Sequence, residues 1–451
     1  SRCDCFAFIA EAAAAMELRE RPVNGVLYVA FNQDSSCFVV GTATGFRIFN
    51  TDPFRLVRTR TIPNCGGLGL VCMLWRCNAM ALCGAGNDTA AAPAQKSGKR
   101  RERLRFCPRR VMVWDDKKET FLADMEFPDT VKCIHMTKHA MVVAVEKRIY
   151  VHRLKDLELT DHIETLQVHA GLVSVSTQSV GPDDQMAVTC PGMQSGKLLV
   201  AFYRGMGERT RSTVINAHES TVTILSLSPD GSLVATASEK GTIIRVFDTD
   251  KGMDLYRFRR GADRAEIYCI AWSATMEYIA ATSDKSTIHV FHVAGNEGPG
   301  SPSFAQNQEQ DEAQTAQPAE RPVSVASAHE PSEMNVNRKS KAGFMATLMP
   351  KYFASQWSFA KFRVPDYRCI CAFSPEDPSC IIALCAHGQY FKASFSKESK
   401  NMTQEARFYF DEEHTENPCP WLPQEYHSTF APAPRAVGEQ APESSRDVPA
   451  Q

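Results

Sequence analysis

The 451-residue sequence lacks several features that would assign it at once to a class of protein. Its apolar runs are far shorter than the roughly 18 residues that a membrane-spanning helix needs. Its formal net charge of −2 shows no excess of either sign, so general binding to polyanions is not expected and any anion site must be local. The first twenty residues lack the pattern of a signal peptide. Together these absences favour a globular protein of the cytosol.

Metal-binding and catalytic motifs are missing as well. The 16 cysteines include no CxxC pair, so a zinc site is not expected, and free thiols in a reducing compartment are the simplest interpretation. The segment 192–197 is one residue too short for a phosphate-binding P-loop, and no nucleophile motif is present. We therefore expect no enzymatic activity, no metal and no cofactor.

An internal repeat predicts the fold. In each repeat an apolar or aromatic residue precedes a turn, a strand, a second turn and another strand, and the four clearest copies cover 31–49, 227–247, 272–291 and 373–391. The 45 residues from Leu227 to Trp272 match one propeller blade, which has roughly 40–45 residues. Weaker copies cover 71–127, 131–166 and 173–218. The sequence therefore predicts an all-β, seven-bladed β-propeller of WD40-like repeats.

Composition changes mark the boundaries of the propeller. We expect an N-terminal extension over 1–22, the propeller over 23–410, and a disordered, acidic and proline-rich tail over 411–451. Long insertions interrupt the propeller at 86–110 and at 294–357. Both are much longer than the usual connection between strands, so they are candidates for functional loops.

The first insertion is strongly basic. Between Lys96 and Arg110 it has eight basic residues against one acid, Glu102. Such a cluster can bind anionic lipid or nucleic acid, but a solvated surface loop explains it more simply.

The second insertion falls within blade six and ends in an amphipathic stretch. Its first part, up to residue 341, is rich in Pro, Gln, Glu and Ser, which predicts disorder. The stretch that follows has apolar residues at helical spacing beside lysines, a composition that suits a lipid interface. Pro350 favours two short helical turns over one continuous helix. The alternative is a helix packed on the propeller itself. The expected membrane-inserting residues are Phe344, Met345, Leu348, Met349, Tyr352, Phe353 and Trp357.

Two adjacent arginines, Arg259 and Arg260, precede Gly261 in a strand-like stretch. Successive side chains of an extended chain point to opposite sides, so the two guanidinium groups would serve two different pockets. Guanidinium suits bidentate contact with phosphate oxygens. The alternative is a pair of surface arginines that make weak ion pairs.

The residues around this pair resemble those of a known family. The stretch ASEKGT at 237–242 and FRRG at 258–261, together with matching motifs at 31–34, 45–53, 111–116, 217–219 and 283–291, resemble the PROPPIN family over most of the chain. PROPPINs are WIPI-type WD-repeat propellers of autophagy that bind phosphoinositides. The resemblance implies two headgroup sites on the rim, one on each side of the arginine pair.

Site one would use His218, Thr236, Ser238, Gly241, Thr242, Arg245 and Arg259. Site two would use Arg260, Gly261, Ser283, Thr287 and His289. Hydroxyl groups would donate to phosphate oxygens, and an adjacent phosphate would favour the charged form of both histidines. The alternative for His218 is structural, because many propeller repeats bond a histidine within the blade.

The resemblance further implies a phosphoinositide effector with no nucleic-acid partner. It would dock on membranes that carry phosphatidylinositol 3-phosphate or 3,5-bisphosphate, and it would recruit autophagy lipid-transfer or conjugation-machinery proteins, in the family through blades two and three. It would be cytoplasmic and peripheral on phagophore, endosomal, vacuolar or lysosomal membranes. Two alternatives remain open: a WD-repeat scaffold that does not bind lipid, and an enzyme subunit or nucleic-acid binder that uses the basic insertion.

Overall fold

The computed structural model describes residues 25–86, 106–166, 171–178, 184–204, 207–293, 355–365, 368–396 and 402–410, and the backbone of residues 15–17. Within these ranges every regular element is a β-strand, and none is a helix that could cross a membrane. The basic stretch 87–105, the insertion residues 294–354 and the tail from residue 411 lie outside the described residues.

The strands of the described residues form seven sheets, which confirms the prediction of a seven-bladed propeller. Blade one contains β1 (Ala15–Glu17), β2 (Val26–Phe31), β3 (Cys37–Thr42), β4 (Gly45–Asn50) and β5 (Arg55–Thr61). Blade two contains β6 (Leu68–Met73), β7 (Ala79–Gly84), β8 (Arg110–Asp115) and β9 (Thr120–Glu126). Blade three contains β10 (Cys133–Met136), β11 (Ala140–Ala144), β12 (Arg148–Arg153) and β13 (Leu159–Glu164). Blade four contains β14 (Ser174–Val175), β15 (Met186–Pro191), β16 (Lys197–Arg204) and β17 (Glu208–Asn216).

The last three blades surround the arginine pair and close the ring. Blade five contains β18 (Val222–Leu227), β19 (Leu233–Ser238), β20 (Ile243–Asp248), β21 (Asp254–Arg259) and β25 (Gln356–Trp357). Blade six contains β22 (Ile267–Trp272), β23 (Tyr278–Ser283), β24 (Thr287–His292) and β26 (Ala360–Arg363). Blade seven contains β27 (Cys369–Phe373), β28 (Cys380–Cys385), β29 (Gln389–Phe395) and β30 (Met402–Tyr409).

The burial of each strand depends on its place in the blade. Second strands are covered on both faces, and every residue of β3, β11 and β28 is buried. The fourth strand β9 instead alternates exposed and half-buried residues, because one of its faces meets solvent. The apolar clusters combine residues from neighbouring blades, so the core of the protein lies between the blades.

Blade six is built from two distant pieces of the chain. Its third strand ends at His292 and its fourth begins at Ala360, close to the start near Ser358 that the sequence predicts. The helical prediction is wrong at its C-terminal end, because Gln356 and Trp357 form strand β25. This strand pairs in parallel with β21 of blade five, which extended residues can do and helical ones cannot.

Two basic clusters at the junction of blades five and six

The arginine pair lies where blade five ends. Arg259 is the last residue of β21, and Arg260 follows it directly. The Arg259 Nε donates to Ser355 Oγ at 3.2 Å, and its guanidinium carbon is 5.2 Å from the centroid of the Trp357 ring. The two arginines therefore have different surroundings, as side-chain alternation along a strand requires.

Arg260 is buried, with 5% of its surface exposed. Its Nε donates to the Gly241 carbonyl at 2.8 Å, and its Nη2 donates to the Asp263 carbonyl. Burial lowers the pKa of its guanidinium, and the nearby carboxylates of Asp284 and Asp263 act in the opposite direction. Arg260 thus ties the turn between β19 and β20 to the connection between blades five and six.

Two of the residues expected in site one, His218 and Thr236, contact each other within blade five. His218 Nε2 lies 2.9 Å from Thr236 Oγ1, and Thr236 is fully buried. Burial, with a smaller effect of the Arg245 charge, lowers the pKa of His218 to about 3. The unliganded histidine is therefore neutral at physiological pH, and the bond is the one that the structural alternative for His218 requires.

Blade five carries a row of arginines on one face. Arg245 pairs across the strands with Thr236 on one side and with Arg257 on the other, and Arg257 is two residues from Arg259. Cross-strand partners and residues two apart share a face of the sheet. Arg245 Nη1 donates to the Ala217 carbonyl at 2.7 Å. The sequence reasoning missed Arg257, which the alternation of Arg257 and Arg259 along a strand could have indicated.

The turn residues of the two sites occupy equivalent places in successive repeats. The Gly241 amide donates to the Ser238 carbonyl at 2.8 Å, and the Ser286 amide donates to the Ser283 carbonyl at 3.3 Å. Gly241 has φ +58°, and a Cβ there would lie 1.8 Å from the Ala265 carbonyl oxygen, so only glycine fits. Thr242 follows this turn, and its carbonyl accepts the Arg260 amide at 2.9 Å.

Gly261 differs from Gly241, because a Cβ at Gly261 would meet no described atom within 4 Å. Neither backbone conformation nor local packing therefore requires glycine at this position. The open space next to Arg260 leaves room for a ligand to approach the backbone.

Site two is centred on His289 of β24, which is 6% exposed. Its Nδ1 is buried and has no hydrogen-bond partner among the described residues, and its ring stacks on Phe291 with the centroids 6.2 Å apart. Burial lowers its pKa to about 4, and the positive charges of Lys361 and Arg260 act in the same direction. An anion bound next to this neutral imidazole would be attracted by the two positive charges.

The two hydroxyl residues of site two flank the turn before His289. Ser283 is 3% exposed, and its Oγ accepts the Lys285 amide at 3.3 Å. Thr287 is half-buried, and its Oγ1 donates to the Lys285 carbonyl at 3.2 Å. The structure therefore brings Arg260, His289 and this turn to one region of blade six.

Two further basic residues join site two from β26. Lys361 pairs across the strands with His289, and Arg363 pairs with Thr287. Both side chains are exposed, whereas Ala360 and Phe362 between them are buried. Sequence reasoning missed both residues, because they follow an insertion of about sixty residues. The alternation of small or apolar and basic residues in the stretch AKFR was the available signal.

Most of the expected membrane-inserting residues, from Phe344 to Phe353, lie outside the described residues. Trp357 is described: it is 51% exposed and belongs to β25, next to Arg259. In the basic insertion, Arg109 Nε donates to the Phe127 carbonyl at 3.3 Å, and Arg110 forms an ion pair with Asp124. The described end of that cluster is therefore bonded to blade two. Within the described ranges, no group of three or more His, Cys, Asp or Glu residues could hold a metal ion.

Comparisons with known proteins agree on one family. A family model described as PROPPIN matches residues 104–307. The SVP1-like protein 2 of Pichia angusta is 30% identical over 342 residues, which cover 75% of this chain and 81% of that protein. The autophagy-related protein 18e of Arabidopsis thaliana is 28% identical over 394 residues, which cover 87% of this chain and 90% of that protein. The solved structure of KlAtg21 in complex with the coiled coil of AgAtg16 has the same fold, with a TM-score of 0.59 at 19% identity over 86% of this chain and 100% of that one.

Proposed function

Because the chain belongs to the PROPPIN family of autophagy-related β-propellers, we propose that it is a phosphoinositide effector without enzymatic activity. It docks on membranes that carry phosphatidylinositol 3-phosphate or 3,5-bisphosphate, through site one on blade five and site two on blade six. One observation carries the proposal. The adjacent arginines contact different groups: Arg259, at the end of β21, donates to the Ser355 hydroxyl, and Arg260, just beyond it, donates to the carbonyls of Gly241 and Asp263.

Within site one, we assign the headgroup contacts to Ser238, Thr242 and Arg259. His218, Thr236 and Arg245 hold these residues in place, because their polar groups are bonded to each other or to the blade. Hydroxyl and guanidinium groups at the rim donate to phosphate oxygens, and the charge of arginine adds to each bond. Arg257 lies on the same face of blade five, where its guanidinium is paired with the Asp254 carboxylate at 2.6 Å.

Within site two, we assign the contacts to Ser283, Thr287 and His289, with Arg260 and Lys361 supplying charge. Arg260 is largely committed to two backbone carbonyls, so its contribution to the site is mainly electrostatic. An anion next to His289 would raise the pKa of this histidine from its low value in the unliganded protein. Binding at site two would therefore favour the protonated form of His289.

Two weak binding sites on one rigid protein reinforce each other when both engage the same membrane. The contacts of site one are partly exposed to solvent, where a single charge pair contributes little, whereas Ser283 and His289 of site two are buried. Two sites plus the amphipathic stretch of the blade-six insertion raise the effective concentration of each contact once the first has formed. The protein would thus stay on phagophore, endosomal, vacuolar or lysosomal membranes only where 3-phosphorylated lipid is present. There it would recruit autophagy lipid-transfer or conjugation-machinery proteins. The coiled-coil complex of KlAtg21 supports a partner of that kind.

Vesicle co-sedimentation tests the proposal with one change in each site. The test protein carries Arg259→Gln and Lys361→Gln. The control carries Arg58→Gln and Lys118→Gln, which remove the same charge from side chains that are 50% and 71% exposed on blades one and two. Vesicles contain no phosphoinositide, the 3-phosphate, the 4-phosphate or the 3,5-bisphosphate. We do not change Arg260 here, because its loss would leave two carbonyls without their donor.

We expect the wild type and the control to bind only 3-phosphorylated vesicles, and the test protein to bind at least about tenfold more weakly, since two charged contacts are lost. An equal loss of vesicle binding in the control would show that binding depends on the net charge of the protein and not on the two sites. Failure of the wild type to bind any vesicle would favour the protein scaffold.

A further inference from the structure

The end of the blade-six insertion is attached to blade five. Strand β25 pairs in parallel with β21, with Phe258 opposite Gln356 and Arg259 opposite Trp357. All the other strand pairs of the described residues are antiparallel. After the long insertion the chain therefore first adds β25 to blade five, and only then forms the fourth strand of blade six. This addition places Ser355 and Trp357 at the side chain of Arg259.

Both residues restrict the guanidinium group of Arg259. Ser355 is 9% exposed, and its hydroxyl accepts the Arg259 Nε at 3.2 Å. The Trp357 ring lies over the guanidinium at 5.2 Å, within the range of a cation–π contact. A hydrogen bond at one nitrogen and a ring at one face together define where the planar group can lie.

We propose that Ser355 and Trp357 are positioning residues for Arg259 at site one, an inference that rests on the proposed function. Arginine has many rotamers, and fixing them when a phosphate binds costs conformational entropy. A guanidinium that is already held in one orientation loses less freedom on binding, so the headgroup binds more tightly. The insertion thereby contributes to headgroup recognition as well as to contact with the bilayer.

This role differs measurably from insertion of Trp357 into lipid. An inserting tryptophan contributes only when a bilayer is present. A positioning tryptophan also contributes when the ligand is a soluble headgroup. The affinity for soluble inositol 1,3-bisphosphate therefore separates the two roles.

The experiment is calorimetric titration of the full chain with inositol 1,3-bisphosphate. Every protein carries Lys361→Gln and Thr287→Val, which weaken site two so that binding at site one dominates the titration. The variants are Arg259→Gln, Trp357→Ala, Trp357→Phe, Ser355→Ala and the pair Arg259→Gln with Trp357→Ala. The control is Leu122→Ala, which removes an exposed apolar side chain on blade two. Melting temperatures confirm that each protein is folded.

We expect Trp357→Ala to weaken binding about fivefold to tenfold, Ser355→Ala about threefold, and Trp357→Phe less than twofold, because phenylalanine keeps a ring over the cation. Trp357→Ala should add nothing to Arg259→Gln, since the tryptophan acts through that arginine. Ser355→Ala removes one hydroxyl and tests the proposal even if Trp357→Ala does not fold.

Two results would overturn the proposal in distinguishable ways. Normal headgroup binding in both Trp357→Ala and Ser355→Ala, with a defect in Arg259→Gln, would leave site one intact and remove the positioning role. Normal binding in Arg259→Gln would refute site one itself, and the positioning role with it.

Discussion

At the scale of single residues, burial lowers the pKa of His218 and His289. The buried Nδ1 of His289 has no hydrogen-bond partner among the described residues, and the pKa of His289 is about 4, whereas an unfolded chain has a histidine pKa of about 6.5. Between these two pKa values the unfolded chain binds more protons than the folded one, so the free energy of unfolding falls as the pH falls. The contribution of His289 to stability is complete above pH 6.5 and decreases through the window from 6.5 to 4.

We predict that His289→Gln makes the protein less sensitive to acid. Between pH 7.5 and pH 5 the wild type should lose about 2 kcal/mol more stability than the variant, since each pH unit in the window corresponds to about 1.4 kcal/mol. Urea denaturation at the two pH values measures the difference. The control His162→Gln changes a side chain that is 54% exposed and should keep the wild-type dependence. An unchanged dependence in His289→Gln would mean that the pKa of His289 is the same in the folded and the unfolded protein.

At the scale of elements, β26 combines core-facing and exposed positions in one short strand. Ala360 and Phe362 face the core, and the alternation of a strand then places Lys361 and Arg363 on the outside. Antiparallel register brings Lys361 opposite His289. The four residues that complete the fourth strand of blade six thus also supply two basic residues to the proposed site two.

We predict that Lys361→Ala weakens headgroup binding at site two about fivefold, which corresponds to about 1 kcal/mol for an exposed charge. Titration of an Arg259→Gln background with inositol 1,3-bisphosphate measures it. Lys118→Ala, on blade two and 71% exposed, is the matched control. An effect of equal size in both variants would assign the loss to overall charge. The loss should shrink at high salt, because surface charges are screened.

At the scale of the whole molecule, the ring is closed by side chains of the first and last blades. Tyr390 Oη donates to the Thr51 carbonyl at 2.7 Å, and Lys392 pairs with Asp52 at 2.8 Å. An aromatic cluster fills this junction, with Phe38 stacked on Phe49 at 4.9 Å. In the described residues the strands of each blade follow one another in chain order, and none is exchanged between blades one and seven. Contacts between the side chains of these two blades therefore hold the ring closed.

We predict that Phe38→Ala destabilises the protein by about 3–5 kcal/mol, because Phe38 is fully buried in this junction. Leu122→Ala, at a side chain that is 57% exposed, should change stability by no more than about 0.5 kcal/mol. Chemical denaturation of the two variants gives both values. Equal stability of both variants would mean that the junction does not limit the stability of the ring.

The repeat, and with it the fold, can be predicted from the sequence. Strand and turn signals are local, so the 45 residues from Leu227 to Trp272 predict one blade, and the full set of repeats predicts seven. The arginine pair was also visible, since alternation along a strand requires its side chains to diverge.

Which distant residues lie together at the two proposed sites depends on the tertiary structure. The pairing of β25 with β21, and of Lys361 with His289, joins segments separated by a long insertion. Such pairing depends on how blades pack, which no local pattern encodes. The charge state of His218 and His289 is set by burial, which likewise depends on how the blades pack. Desolvation is a property of everything that surrounds a group, and the neighbours of a residue in space are set by the fold.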